Sequence, residues 1–242
     1  MKASQSKNVT INEDVAYLMG VLQSDGCIYN FYDKKRKKMY TRLILTVAPK
    51  SLPMAIRFQK ILSQYFGITV NLRNIPNTHY YRIQASINRL KDNFENLKNE
   101  HLLEPVRCNI SLFGAYLAGL IDGDGHIKIK NNHDRIFPQC VVRISEDHPM
   151  YTVNYLLKKF FDCNSHFEKD ANSRCIDTCF YISEKNIHLF YKYVYPHITL
   201  KHKIERLNTF WKIKMGARGF EPLTYRSEAD RSIQAEPRAL EW

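Results

Sequence analysis

The sequence predicts an α+β fold of two pseudo-symmetric α-β-β-α-β-β-α repeats. The sheets are expected to be mostly antiparallel, with the first helix of each repeat packed together at the centre. Three observations lead there. Shifting the 242-residue sequence by 99 positions lays "YLMGVLQSDGCIYN" (17–30) over "YLAGLIDGDGHIKI" (116–129). Tyr17 then meets Tyr116, Leu18 meets Leu117 and Gly20 meets Gly119, while Asp25, Gly26 and Ile28 meet Asp124, Gly125 and Ile127. After each copy, helical and strand-like apolar periods alternate in the same order. Both copies also carry a small residue at every fourth position: Ala16, Gly20 and Ser24, then Ala115, Gly119 and Gly123.

The elements follow in chain order. Thr10-Ile11-Asn12-Glu13 reads as a capping box before a helix over 11–24, and Ser111 as the N-cap of its counterpart over 112–123. Gly26 and Gly125 suit the position after each helix end. Strand pairs are expected at 27–32 with 40–48 and at 126–131 with 138–145. Amphipathic helices follow at 51–66 ("IRFQKILSQYF") and 149–161 ("YLLKKFF"). Further strand pairs fall near 68–74 with 79–86 and 164–169 with 174–183. Helices near 87–98 and 184–194 close the repeats, and 199–215 adds another. The domain reading is 10–98 for the N-terminal repeat, 99–110 for a short connector, 111–215 for the C-terminal repeat and 216–242 for a disordered tail.

That tail differs in composition. After Lys214 it has no Lys and no Asn, whereas the body is rich in Lys, Asn, Ile, Tyr and Phe, which AT-rich codons specify. "GFEPL" resembles a translated T-arm of a transfer-RNA gene, so the reading frame is expected to run into such a gene.

Composition narrows the function classes. The net charge is +12, and the excess sits in residues 1–215. A polyanion partner follows, nucleic acid before membrane. No apolar run approaches the ~18–20 residues of a membrane span. The cysteines are Cys27, Cys108, Cys140, Cys163, Cys175 and Cys179. They form no C-x-x-C and no zinc-finger spacing, and read as reduced, partly buried thiols. No constellation supports a zinc, serine or cysteine hydrolase.

Glycine inside a helix costs about 1 kcal/mol against alanine. Two helices that accept this on matching faces are expected to pack on each other, because a small-residue stripe lets backbones approach. Asp25 and Asp124 then end neighbouring parallel helices. A helix C-terminus disfavours an anion by about 0.3–1 kcal/mol, and two facing carboxylates make matters worse. Divalent cations resolve the conflict. Carboxylates and backbone carbonyls, with Ser24 and Gly123 as candidates, are hard oxygen ligands suited to Mg²⁺, for which Mn²⁺ can substitute.

"LMGVLQSDG" (Leu18–Gly26) and "LAGLIDGDG" (Leu117–Gly125) resemble the motif of the LAGLIDADG homing endonucleases. With the element order, the resemblance covers about residues 10–215. Two motifs in one chain imply the single-chain, monomeric form with saddle-shaped sheets. The resemblance implies that Asp25 and Asp124, each the last motif aspartate, bind the catalytic metal. Asp122 occupies the sixth motif position of the second copy and Gln23 that of the first, so the acid there is not assigned to metal. "YPHITLKHKIERL" looks like the family segment carrying an active-site lysine, and Lys201 is the match. The first half offers no clean counterpart.

The strands alternate in a way that suits base-edge readout. On one face lie Tyr29, Tyr40, Arg42 and Thr46, then Asn71 with Arg73 and Arg82 with Gln84. In the second half the same face holds His126, Lys128 and Lys130, then Gln139, Arg143 and Ser145. Lys34, Lys35, Arg36, Lys37 and Lys38 fill the first hairpin loop and read as phosphate contacts. The expected function is site-specific cleavage of double-stranded DNA at a long pseudo-asymmetric target. The resemblance implies that one phosphodiester on each strand is hydrolysed with divalent metal, leaving short 3′ overhangs. The frame reads as intron-borne, with an organellar (chloroplast or mitochondrial) or bacterial cytoplasmic location. An intron RNA maturase and a non-catalytic DNA-binding regulator are the alternatives.

Overall fold

Two helices are apolar on every side and therefore belong in the middle of the structure. In the computed structural model they are α1 (Glu13–Ser24) and α5 (Ile110–Asp124), with Val15–Gln23 and Phe113–Asp122 buried. The described residues are 10–98, 104–130, 139–145, 150–169, 176–183 and 185–216, with backbone alone described at 130, 139–145, 150–151, 169, 176 and 214–216. The tail beyond 216 lies outside them.

Asparagines set both helix starts. Asn12 Oδ1 accepts from Val15 N at 3.0 Å, so α1 begins after Asn12 rather than after Thr10. Asn109 Oδ1 accepts from Ser111 N (2.8 Å) and Leu112 N (3.2 Å), which displaces Ser111 from the cap. Asparagine is as strong a cap as serine or threonine, and here it lies nearer the apolar run.

Each central helix feeds a four-stranded antiparallel sheet. The first contains β1 (Gly26–Asp33), β2 (Lys38–Val47), β3 (Leu72–Asn74) and β4 (Tyr81–Ser86), in the order β1-β2-β4-β3. The second contains β5 (His126–Lys130), β6 (Gln139–Ser145), β7 (Ser165–Lys169) and β8 (Ile176–Ile182), in the order β5-β6-β8-β7. Between the hairpins run α2 (Leu52–Phe66) and α6 (Met150–Phe161). The remaining helices are α3 (Lys91–Lys98), α4 (Glu104–Cys108), α7 (Ile187–Tyr193) and α8 (Lys201–Gly216). One face of each sheet packs into the core through Leu43, Leu45, Ile83 and Ala85, or through Ile127, Phe180 and Ile182. The period of two then turns the polar residues to the opposite, outer face.

The small-residue stripes explain how α1 and α5 meet. A Cβ on Gly20 would lie 2.2 Å from Tyr116 O, and a Cβ on Gly119 would lie 2.2 Å from Tyr17 O. The two contacts are reciprocal, and the paired numbers rise together along both helices, so the helices run parallel. Gly26 and Gly125 serve a different purpose from the left-handed turn that the sequence suggests. Gly125 is extended (φ −71°, ψ 137°). Added Cβ atoms would meet Leu22 Cα at 2.6 Å and Ile121 Cα at 2.4 Å. Glycine is needed there because each chain turns back tightly over its own helix.

Candidate active site and nucleic-acid interface

The parallel helix pair brings Asp25, the C-cap of α1, beside Asp124, the last residue of α5. Asp25 is half-buried and Asp124 is exposed. Burial, and next the Asp124 charge, push the Asp25 carboxyl up from 3.8 to about 6, against the pull of Lys203. The pair is thus an unfavourable place for two anions and a favourable one for a cation. Its donors are oxygens, which suits a hard divalent ion. Gly123 lets the Ser24 side chain enter between the helix ends: a Cβ there would lie 1.9 Å from Ser24 Oγ, which donates to Gly20 O at 2.9 Å.

The sixth motif positions bind across the interface. Tyr17 OH donates to Asp122 Oδ2 at 2.8 Å, and Tyr116 OH donates to Gln23 Oε1. The second half adds more. Thr199 N and Thr199 Oγ1 also donate to Asp122 Oδ2, at 2.8 and 2.7 Å. Burial raises the Asp122 carboxyl while these hydrogen bonds lower it. Asp122 is therefore a structural acceptor that ties Thr199, two residues before α8, to the motif helix. Arg57 of α2 braces the same junction. Its guanidinium lies 3.8 Å above the Tyr17 ring, donates to His197 O at 2.7 Å and pairs with Asp14 at 3.0 Å.

That anchoring places a different lysine from the expected one. Lys201 is 89% exposed at its side chain and pairs with Glu205 at 3.8 Å. Lys203 is 5% exposed and donates to Asp122 O at 2.8 Å and to Ile121 O. Burial pushes its ammonium down from 10.5 to about 8, while Asp122, Asp25 and Asp124 pull it up. The sequence held a signal for this placement of Lys203. Leu200, Lys203, Leu207 and Phe210 fall on one helical face, and its other members are buried core residues. Lys201 and Glu205 fall on the solvent side.

Lys50 and Ser51 before α2, with His202 and Arg206 of α8, share a cleft with Lys203 and with His126, and of these the sequence pointed only to His126. Arg206 Nη1 donates to Ile127 O at 2.6 Å. The His202 imidazole is pushed down by burial first, then by Lys203, Lys50 and Arg206. A cleft that suppresses its own positive charge suits an anion.

The outer face of the first sheet holds most of the base-reading candidates together. Register pairs Tyr29 with Arg42, Thr46 with Arg82, and Arg82 with Arg73. Arg82 Nε donates to Thr46 Oγ1 at 3.3 Å, and the Arg42 guanidinium lies 4.0 Å over the Phe31 ring. Phe31 in turn stacks on Tyr40 at 5.6 Å. Asn71 precedes β3 and lines a groove with Arg73, Arg82 and Gln84. Lys34–Lys37 form the β1–β2 turn, capped by Asp33 Oδ1, which accepts from Lys35 N and Arg36 N, and Lys38 opens β2. His126 and Lys128 are exposed on β5. Lys130, Gln139, Arg143 and Ser145 lie on β5 and β6 by backbone, with side chains outside those described.

A duplicated helix pair of this kind, each helix leading into a four-stranded sheet, recurs in solved structures. One is I-DmoI in complex with DNA and Ca, at TM-score 0.58 and 17% identity, covering 81% of this chain and 97% of that one. Another is I-SmaMI bound to an uncleaved DNA target with calcium ions, at TM-score 0.56 and 14% identity, covering 86% and 93%. The chain has the LAGLIDADG homing endonuclease fold. I-DmoI in complex with DNA and Mn matches at TM-score 0.55 and 17% identity, covering 75% and 96%. No protein-family profile matches the sequence, and no curated protein matches it significantly. Among the described residues, no helix is long and apolar enough to cross a membrane. The LAGLIDADG fold thus accounts for the duplicated motif.

Proposed function

We propose that this chain is a site-specific endonuclease of double-stranded DNA. The observation that carries the reading is the electrostatic coupling of Asp25, Asp124 and Lys203 at the end of the parallel helix pair. The basic outer face of the first sheet and the +12 charge supply the partner. The solved I-DmoI and I-SmaMI complexes hold DNA and divalent ions on the same fold, which supports carrying both to this chain.

The sheets would lie along the major groove, with Arg42, Arg73, Arg82 and Gln84 reading base edges. The 34–38 turn would hold phosphates. Lys50 and Arg206 would seat the scissile phosphate beside the helix ends. Asp25 and Asp124, with the Ser24 and Gly123 carbonyls, would hold the divalent ion. When bound, Mg²⁺ supplies a water of lowered pKa and neutralises charge on the reacting oxygens. Hydrolysis would move the phosphate from one ester oxygen to a water oxygen, the water giving up a proton as the new bond forms and the leaving ester oxygen taking one up. Lys203, still mainly cationic at pH 7, stabilises the charge that builds on the phosphate. One cut per strand, short 3′ overhangs and an intron-borne origin complete the reading.

The test selects binding sites for the full chain from a random duplex pool, in Ca²⁺, and then adds Mg²⁺ or EDTA. Cleavage of the selected sites with Mg²⁺ and none with EDTA is expected. Asp25→Asn and Asp124→Asn should each bind the sites and fail to cut both strands. Selected sites that stay intact with Mg²⁺ or Mn²⁺ would overturn the nuclease reading, as would normal cutting by both variants.

A further inference from the structure

The outer face of the second sheet holds a cluster that the proposed reaction does not use. His166 and Glu168 are two residues apart on β7 and so share a face. The antiparallel register puts Cys179 of β8 opposite His166. His166 Nε2 is 3.4 Å from Glu168 Oε1, and the Cys179 thiol donates to Glu168 Oε2 at 3.3 Å. One donor atom from each residue lies within 4.8 Å of the other two. Bonds of about 2.0–2.3 Å to a tetrahedral ion put neighbouring ligand atoms about 3.3–3.8 Å apart. The three groups therefore stand within about 1 Å of a chelating triangle.

We propose that His166, Glu168 and Cys179 bind a zinc-class transition-metal ion on the outer face of the second sheet. The nitrogen, oxygen and sulfur donor set selects such an ion over Mg²⁺, just as the all-oxygen set at the helix ends selects the reverse. Three protein ligands leave a fourth position for water. Cys179 is fully buried, whereas the His166 and Glu168 side chains are 42% and 35% exposed, so the ion enters from the outer face. Tyr181 stacks on the His166 ring at 5.6 Å between centroids and fixes its plane. Binding releases the thiol proton to solvent, so affinity rises with pH. The carboxylate and thiolate together take a 2+ ion to no net charge. That removes a negative spot from a face that would meet DNA. Only this last consequence rests on the nuclease reading; the metal site stands on its geometry.

The test titrates the reduced full chain with Co²⁺ as the probe, in excess Mg²⁺ to occupy the helix-end oxygens, without DNA. One Co²⁺ per chain is expected, with near-ultraviolet thiolate-to-cobalt absorption. Cys179→Ser should remove the band, and the exposed-thiol controls Cys27→Ser and Cys108→Ser should keep it. His166→Gln and Glu168→Gln should each weaken binding about tenfold or more, since even outer-shell partners of a metal are worth about 10–100-fold. Absence of the band at one equivalent, or a band that survives Cys179→Ser, overturns the proposal. Should Cys179→Ser fail to fold, unchanged Co²⁺ affinity in both β7 variants overturns it instead. Because no cleavage is read, failure here is separable from failure of the nuclease reading.

Discussion

The ends of α1 and α5 share one backbone arrangement and have unlike surroundings. A Cβ on Gly20 or on Gly119 would lie the same 2.2 Å from a carbonyl oxygen of the opposite helix, and Tyr17 and Tyr116 reach across to the same motif position. There the likeness stops. Asp122 receives Tyr17 and Thr199, and its backbone carbonyl receives Lys203. Gln23 receives Tyr116 alone among the described residues, and its Nε2 is buried without a partner. Stepping back 99 residues from Lys203 reaches Glu104, an acid. Close backbone packing tolerates no substitute for glycine, so it is duplicated faithfully. The polar support needs only one good lysine near two coupled carboxylates, so it has diverged.

The two helix ends should differ most through Lys203. Lys203→Met should slow cleavage about 10²–10³-fold at the strand it serves, the usual loss for one transition-state donor. Supercoiled target plasmid should then accumulate as the nicked form before it linearises. Lys201→Met, on the solvent side of the same helix, should cut at close to the parental rate. The opposite ranking would mean that α8 presents its other face to the site.

The glycine pair tests the shared part. Gly20→Ala and Gly119→Ala should each lower unfolding stability by about 1–3 kcal/mol or more, and by similar amounts, because each puts a methyl into a backbone carbonyl. Gly123→Ala should do less, since its close contacts are the Oγ and Cβ of the Ser24 side chain rather than backbone, and Ser24→Gly in the same chain should relieve it. Urea unfolding of the four variants decides it. Unequal losses at Gly20 and Gly119 would show that the interface is not reciprocal.

What could be read from sequence divides along the same line. The repeat, the helix pair and the roles of Gly20 and Gly119 were legible because backbone contact leaves a strict residue pattern. Lys203 was legible in principle, through its place on the buried face of α8. Lys50 and the cluster of His166, Glu168 and Cys179 were not. Each is assembled by sheet register or by contact between the halves, and linear spacing carries no trace of it. The cysteines lack zinc-finger spacing, yet β-pairing sets Cys179 opposite His166.

The two outer faces should also respond with opposite sign to loss of charge. Arg73→Ala or Arg82→Ala in the first sheet should weaken DNA binding about tenfold. A lost base contact costs about 1–3 kcal/mol, and a lost phosphate contact lowers the salt slope by about 0.9. Glu168→Gln in the second sheet should strengthen binding when transition metals are chelated, because it removes a negative charge from the polyanion's side. Fluorescence anisotropy with Ca²⁺ across a salt series separates these outcomes. Unchanged binding by Glu168→Gln would place β7 away from the DNA.

The smallest effect concerns the carboxylates without metal. The Asp25 carboxyl is raised from 3.8 to about 6. Between those values the folded chain keeps a proton that the unfolded chain has lost, so this group's contribution to stability falls as pH rises from about 4 to about 6, and it stays low above that. Lys203 runs the other way. Its ammonium is lowered from 10.5 to about 8, so its contribution grows as pH rises through that interval. Asp25→Asn should accordingly melt about 2–4 °C above the parent at pH 7.5 in EDTA, the shift that about 1 kcal/mol gives a chain of this size. The gain should vanish below pH 4, where the parental carboxyl is neutral in both states. Asp124→Asn should gain less, because Asp124 is exposed and its removal acts mainly by relieving Asp25. Mg²⁺ should close the gap by stabilising the parent and not Asp25→Asn. A parent that already outlasts Asp25→Asn in EDTA would mean that the helix ends hold their charge without help, and a cation would then have no repulsion to relieve.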